Sequence, residues 1–289
     1  MYKLVAIDMD GTLLDSYGNI SSENKNAIKK VKEKGTEVVL CSGRMVGAMQ
    51  VFADEIEANN YIISGNGAQI YDVKNDKIIY DQHIEKNKVL DIIKVCEENS
   101  IYCCVYTENM IIAKSLNYNI LYYSNENKEK QIDKKVNINI VNNIYEYIKD
   151  MDADCFLKMT ICDSDQIIFN NLIKKLRKIK GIDVLDVGHM SRKLITRGTE
   201  TFEVAYYYTE VTRQNTNKWT AIEYLINIMS ISKNEVMAIG DNVNDKEMIQ
   251  NAEIGIAMGN SAPYIKELAD VVVADNNSNG VAEALEKYL

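Results

Sequence analysis

No stretch of the 289-residue chain approaches the about 18 consecutive apolar residues of a membrane-spanning helix. Basic residues are in deficit. The 33 Lys and Arg against 42 Asp and Glu leave a formal net charge of −9, a poor match to nucleic acid or to an anionic membrane surface. That balance does not exclude small phosphorylated ligands, which meet only the local field. The N-terminal residues lack a basic segment followed by an apolar one, so no secretory leader is read. None of the six cysteines stands in a C-x-x-C pair, and they are expected to be reduced and mostly buried. Internal repeats and long polar linkers are also missing. The expectation is a soluble, cytoplasmic protein with neither nucleic acid nor membrane as partner; its oligomeric state is not readable.

What is present is an alternation of short apolar runs and amphipathic segments at both ends of the chain. Residues 4–7 form a wholly apolar run, as a buried parallel strand requires. Ser21 or Ser22 caps a helix carrying Ala27, Ile28 and Val31, which Gly35 stops. EVVLC, a helix over 45–57 and the strand YIIS follow, ending at Gly65-Asn66-Gly67. Near the C-terminus, WTAIEYLINIM reads as a helix and EVMAIG as a strand ending at Asp241. IGIAMG is a second strand, Ser261 caps a helix with Pro263 in its first turn, and VVVA and a terminal helix complete the series.

The pattern predicts an α/β class fold, a doubly wound, mostly parallel Rossmann-like sheet with helices on both faces. The middle differs. It mixes helices with longer, partly alternating runs such as IYCCVYT, CFLKMTIC and FEVAYYYTEV, the mark of an α+β insert with one sheet face exposed. Residues 125–135 read as a solvated loop or helix face. The expected layout is a core of 1–82 and 213–289 with an inserted domain of 83–212, and hinge candidates at 81–84 and 213–217.

Ligands in open α/β sheets bind beyond the carboxyl ends of the strands. At those ends stand Asp8 and Asp10, Ser42-Gly43, Gly65-Asn66-Gly67, and Asp241 with Asn244 and Asp245; Lys218 opens a helix. Several carboxylates in one pocket repel unless a hard cation lies among them. A ligand set of oxygens alone suits Mg²⁺. Glycines let backbone N–H groups approach a phosphate, Ser42 adds a hydroxyl donor and Lys218 a positive charge. Two carboxylates then divide the chemistry: Asp8 as nucleophile, Asp10 as the acid that protonates the leaving oxygen and the base that activates water.

The motifs that carry these residues resemble a known family. DMDGT resembles the first motif, D-x-D-G-T, of the haloacid dehalogenase-like (HAD) superfamily; VLCSGR, Lys218 and GDNVNDKEM resemble its second, third and fourth. SGNGA and the place of the insertion resemble the Cof-like branch, whose insert is a type IIB cap. The resemblance implies that Asp8 is nucleophile and Mg²⁺ ligand, and that Asp10 is acid/base with its carbonyl on the metal. It further implies that Ser42 and Gly43 hold the phosphoryl group, Lys218 balances charge, Asp241 ligates Mg²⁺, Asn244 contacts phosphate and Asp245 orients the metal's waters. Relatives that break carbon–halogen bonds lack the second Asp, so Asp10 favours phosphoryl transfer. Two positions depart from the pattern: Trp219 stands where Gly usually follows the lysine, and Ser42 where Thr is common.

The expected function is therefore Mg²⁺-dependent hydrolysis of a small phosphomonoester, a sugar phosphate or similar metabolite, through an aspartyl-phosphate. The alternatives are a phosphomutase on the same site and a non-catalytic phosphometabolite-binding protein. Around the site, Asn66 reads as a turn former or a substrate contact and Arg44 as a structural ion-pair partner. Trp219 reads as a buried aromatic or a ring crowding the pocket mouth. His83 reads as a surface residue, and His189 as an insert residue that could touch substrate.

Overall fold

A computed structural model describes residues 2–58, 60–129, 135–152, 155–186, 190–197 and 200–289. His189 and part of the 125–135 segment lie outside the described residues. The chain divides into two compact units, Met1–Asp81 with Thr216–Leu289, and Gln82–Asn215.

The first unit is an α/β fold on an eight-stranded sheet. Its order is Val271–Val272, Ile254–Ala257, Val236–Gly240, Leu4–Asp8, Glu37–Cys41, Tyr61–Ser64, Gln69–Asp72, Lys77–Asp81. The first six are parallel; the last two form an antiparallel hairpin extending one edge. Leu4 to Asp8 are buried throughout, as are Val236 to Gly240, so the central strands carry no polar alternation. Helices cover both faces. Leu40, Ile7 and Ile239 pack with Ile28 and Leu285 on one side, and Val39, Ala6 and Ala238 with Ile222 and Leu225 on the other. Truncating any one of these leucines or isoleucines to Ala would cost about 2–5 kcal/mol.

Local chemistry sets the helix ends. The Ser21 hydroxyl accepts from the Asn24 N–H at 3.2 Å and starts helix Ser22–Glu33, whose Ala27, Ile28 and Val31 are buried. Gly35, at φ +88°, follows its end. Asn217 and Thr220 form a reciprocal capping box at helix Lys218–Met229. Parallel pairing puts all the carboxyl ends on one edge: Asp8 is level with Cys41, and Gly240 with Ala257.

The second unit is α+β, with a seven-stranded, mainly antiparallel sheet around the central strand Phe156–Asp163. Helices Lys86–Glu98, Ile144–Asp150 and Gln166–Leu176 supply a core of Ile92, Ile93, Ile148 and Leu172 against Val105, Met159 and Ile161.

Several local expectations are corrected. The hairpin 69–81 adds two antiparallel strands that the apolar runs did not announce. Helix Tyr118–Glu129 begins ahead of the 125–135 segment, where no helix was read, and its end takes in 125–129 as the helix-face alternative allowed. The cap of helix Pro263–Lys266 is Ala262, not Ser261. Of the two readings of Trp219 the buried aromatic holds, at 5% exposure within an apolar cluster. His83 is half-buried, with its side chain 14% exposed, rather than a surface residue.

Candidate active site

Asp8 is the last residue of its strand and is 4% exposed. The fully buried Lys218 ammonium donates to Asp8 Oδ1 and, at 2.5 Å, to Asp245 Oδ1. Asp245 is itself fully buried, and its Oδ2 accepts the backbone N–H groups of Asp241 and Asn242, each at 3.0 Å. Thr12 donates its hydroxyl to Asp241 Oδ1 at 3.0 Å. One oxygen from each of Asp8, Asp241 and Asp245 lies within 4.8 Å of the others. Four strand and helix ends thus bring together residues separated by most of the chain.

Glycines make the close approach possible. Gly67, at φ +92°, lies so near the start of the Lys218 helix that a Cβ there would sit 2.1 Å from the Asn217 carbonyl oxygen. A Cβ at Gly240 would lie 2.5 Å from the Asp245 side chain. These two glycines set the positions of Lys218 and Asp245, a packing duty distinct from the anion contact expected of the glycine-rich turns.

The electrostatics are those of crowded carboxylates. Burial pushes the Asp8 carboxyl up to about 7, and the Asp245 charge adds to it, against the opposing pull of Lys218. Burial also lifts Asp241 well above its ordinary value, with Asp8 and Asp245 contributing. Burial by itself would lower the Lys218 ammonium, but Asp245 and Asp8 outweigh it and hold the proton firmly on Nζ. One ammonium does not neutralise three carboxylates. A divalent cation among oxygens that otherwise retain protons fits the excess charge, and a donor set of oxygens alone suits a hard ion.

Asp10 stands apart from this cluster. Its side chain is 55% exposed and takes a two-pronged bond from Arg44, Nε to Oδ2 at 2.8 Å and Nη2 to Oδ1 at 2.6 Å. Arg44 is buried, with its guanidinium carbon 5.5 Å from the centre of the Phe52 ring. The ion pair expected of Arg44 is therefore with a predicted site residue. Ser42 is buried and its Oγ accepts the Arg44 N–H at 3.2 Å; Gly43, between them, is half-buried. Asn66 is left-handed at φ 59°, and its Oδ1 accepts from Asn244 Nδ2 at 3.1 Å. Asn260 was not singled out from sequence. Its Nδ2 reaches the Gly11 carbonyl at 2.8 Å and Asp241 Oδ2 at 3.4 Å, tying the first loop to the fourth motif. Its position just beyond strand Ile254–Ala257 was the available signal.

The family model for haloacid dehalogenase-like hydrolases matches residues 5–285. The chain belongs to that family. This HAD hydrolase is 27% identical to the phosphatase YwpJ of Bacillus subtilis over 99% of its own length and 100% of the relative's. A solved HAD-like hydrolase from B. subtilis superposes with a TM-score of 0.82 at 24% identity, covering 99% of this chain and 100% of that one. The HAD subclass IIB sugar phosphatase BT4131 superposes at 0.76 with 20% identity over 99% and 98% of the two chains. These likenesses carry the fold, a Rossmann-like core with an inserted cap, for the whole HAD hydrolase.

Proposed function

We propose that this HAD hydrolase is a Mg²⁺-dependent phosphatase that hydrolyses a small phosphomonoester through an aspartyl-phosphate on Asp8. The observation that carries the reading is the Lys218 ammonium shared between Asp8 and Asp245 at the carboxyl edge of the sheet. It presents one buried carboxylate, already paired with a cation, at the point where a strand-end anion site lies. The phosphatase name of the relative YwpJ supports the same class.

Asp8, the backbone carbonyl of Asp10, and Asp241 would hold the metal, with Asp245 beside them. Bound there, the ion neutralises carboxylate charge and lowers the electrostatic barrier to anionic attack on phosphorus. Asp8 attacks phosphorus as its bond to the ester oxygen breaks, and Asp10 delivers a proton to that oxygen. Asp10 then takes a proton from water as the water oxygen attacks phosphorus. The Asp8–phosphorus bond breaks, and Asp8 returns as carboxylate with inorganic phosphate released. Ser42 Oγ, the Gly43 N–H and Asn244 bind the phosphoryl oxygens, with Asn66 fixing Asn244. Lys218 orients Asp8 and opposes the burial that raises its carboxyl. Arg44 positions Asp10 through its two-pronged contact.

The test is phosphate release from a panel of sugar phosphates and other small esters, with Mg²⁺, with chelator and with the Asp8→Asn variant. Release that requires both metal and Asp8 is expected. Release insensitive to chelator would contradict the metal assignment. An isomerised product without released phosphate would replace hydrolysis by a mutase reaction.

A further inference from the structure

Three chain segments of the second unit converge on Phe156, the first residue of the central strand. The Ile84 N–H donates to the Phe156 carbonyl at 2.8 Å, and Thr107 is paired with Phe156 across the sheet. The residues next to these three contact points are His83, Glu108 and Cys155. The turn that carries Glu108 is tied down: the Thr107 N–H donates to the Met110 carbonyl at 2.9 Å, and the Thr107 hydroxyl accepts the Met110 N–H at 3.1 Å. The placement of the three side chains is thus set by backbone pairing.

One donor atom from each of His83, Glu108 and Cys155 lies within 4.8 Å of the other two, and all three residues are half-buried. His83 Nε2 is 3.7 Å from Glu108 Oε1. Two ligands each about 2.1 Å from one tetrahedral ion stand roughly 3.4 Å apart, so this separation is close to that of a ligand pair. The donors are imidazole, carboxylate and thiol. That set is chemically distinct from the oxygens of Asp8, Asp241 and Asp245: it matches Zn²⁺ and its borderline neighbours and disfavours Mg²⁺.

We propose that His83, Glu108 and Cys155 form a second cation site, for Zn²⁺ or a similar borderline transition metal. Three protein ligands leave the fourth tetrahedral position to water. Binding takes the Cys155 thiol as thiolate and releases its proton to solvent, with His83 neutral, so occupancy rises with pH. The bound ion would cross-link the segment entering the unit, the Glu108 turn and the central strand, and stabilise the unit by an amount that grows with the logarithm of free metal over Kd. The proposal does not rest on the phosphatase reading.

The test is a Co²⁺ titration of the untagged full chain under a non-chelating reductant, followed by Zn²⁺ competition. Wild type should develop a sulfur-to-cobalt charge-transfer band that Zn²⁺ abolishes. The oxygen donors of the core site cannot produce that band, so Asp8→Asn should leave it unchanged. Cys155→Ser should abolish it. His83→Gln and Glu108→Gln should weaken Co²⁺ binding by about tenfold or more. A wild-type titration without the band would overturn the proposal. So would a band that survives Cys155→Ser, or one indifferent to both His83→Gln and Glu108→Gln.

Discussion

Lys218 Nζ lies 2.5 Å from Asp245 Oδ1, both side chains fully shielded from solvent, with Asp8 on the same ammonium. The lysine therefore holds two carboxylates that the fold has taken out of water. Removing one partner of a buried ionic group leaves the rest uncompensated, at a cost of about 3–5 kcal/mol. Lys218→Met should lower the denaturation midpoint of the core accordingly and abolish turnover. Urea unfolding followed by circular dichroism reads the first effect. A midpoint unchanged from wild type would show that Lys218 does not compensate these charges.

Asp8→Asn keeps the shape and removes the nucleophile. Turnover should fall by at least about 10³-fold, with the far-ultraviolet spectrum unchanged. Steady-state phosphate release is the measurement, and a variant within tenfold of wild type would exclude Asp8 from the nucleophile role.

The raised Asp8 carboxyl has a consequence for stability against pH. Folded Asp8 keeps its proton up to about 7, whereas its ordinary value is 3.8, so the folded state binds the extra proton between these limits. This contribution is fully present below about pH 4 and is lost as pH rises through about 7. In chelator, the stability of wild type relative to Asp8→Asn should fall across that window, with a slope approaching about 1.4 kcal/mol per pH unit. Added Mg²⁺ should reverse the trend, because the metal competes with the protons. A flat difference in chelator would mean that Asp8 is not desolvated.

Gly67 separates packing from backbone strain. At Gly67 (φ +92°) a Cβ would meet the Asn217 carbonyl at 2.1 Å; at Gly18 (φ +79°) it would meet nothing within 4 Å. Both Gly→Ala changes carry a left-handed penalty of about 1–2 kcal/mol. Gly67→Ala should cost more than Gly18→Ala and reduce kcat, because it displaces the start of the Lys218 helix. Equal melting shifts and equal kcat for the two variants would remove Gly67 from the support of Lys218.

Arg44→Lys tests the hold on Asp10. Lysine cannot reproduce the two-pronged contact at 2.8 and 2.6 Å, so Asp10 loses its orientation. A fall in kcat of about tenfold, with KM little changed, is expected in phosphate-release kinetics. Wild-type kcat would show that Arg44 serves the fold alone.

Much of the core was legible because parallel strands buried on both faces read as unbroken apolar runs. LVAI, VVL and VMAI stop where Asp8, Cys41-Ser42 and Gly240-Asp241 begin. The carboxylate cluster followed, since parallel pairing places those ends on one edge. The hairpin 69–81 was less legible: it closes on a short turn of Val73 to Asp76 without a glycine, and its outer strand is largely exposed. The helix Tyr118–Glu129 intersperses tyrosines with Asn and Glu and so lacks a clear apolar stripe. The Arg44–Asp10 pair spans 34 residues, and Asn260 reaches Gly11 across 249. Such contacts have no local signal and exist only once the sheet is assembled.

The central claim is that Asp8 carries the phosphoryl group. The most direct measurement is mass spectrometry of protein quenched in acid during turnover of a reactive phosphomonoester with Mg²⁺, in wild type and in Asp10→Asn, where release from the enzyme is slowed. The account predicts a phosphoryl adduct on the peptide containing Asp8, enriched in Asp10→Asn and absent from Asp8→Asn. Continued turnover with no adduct, or with the adduct on another residue, would contradict it.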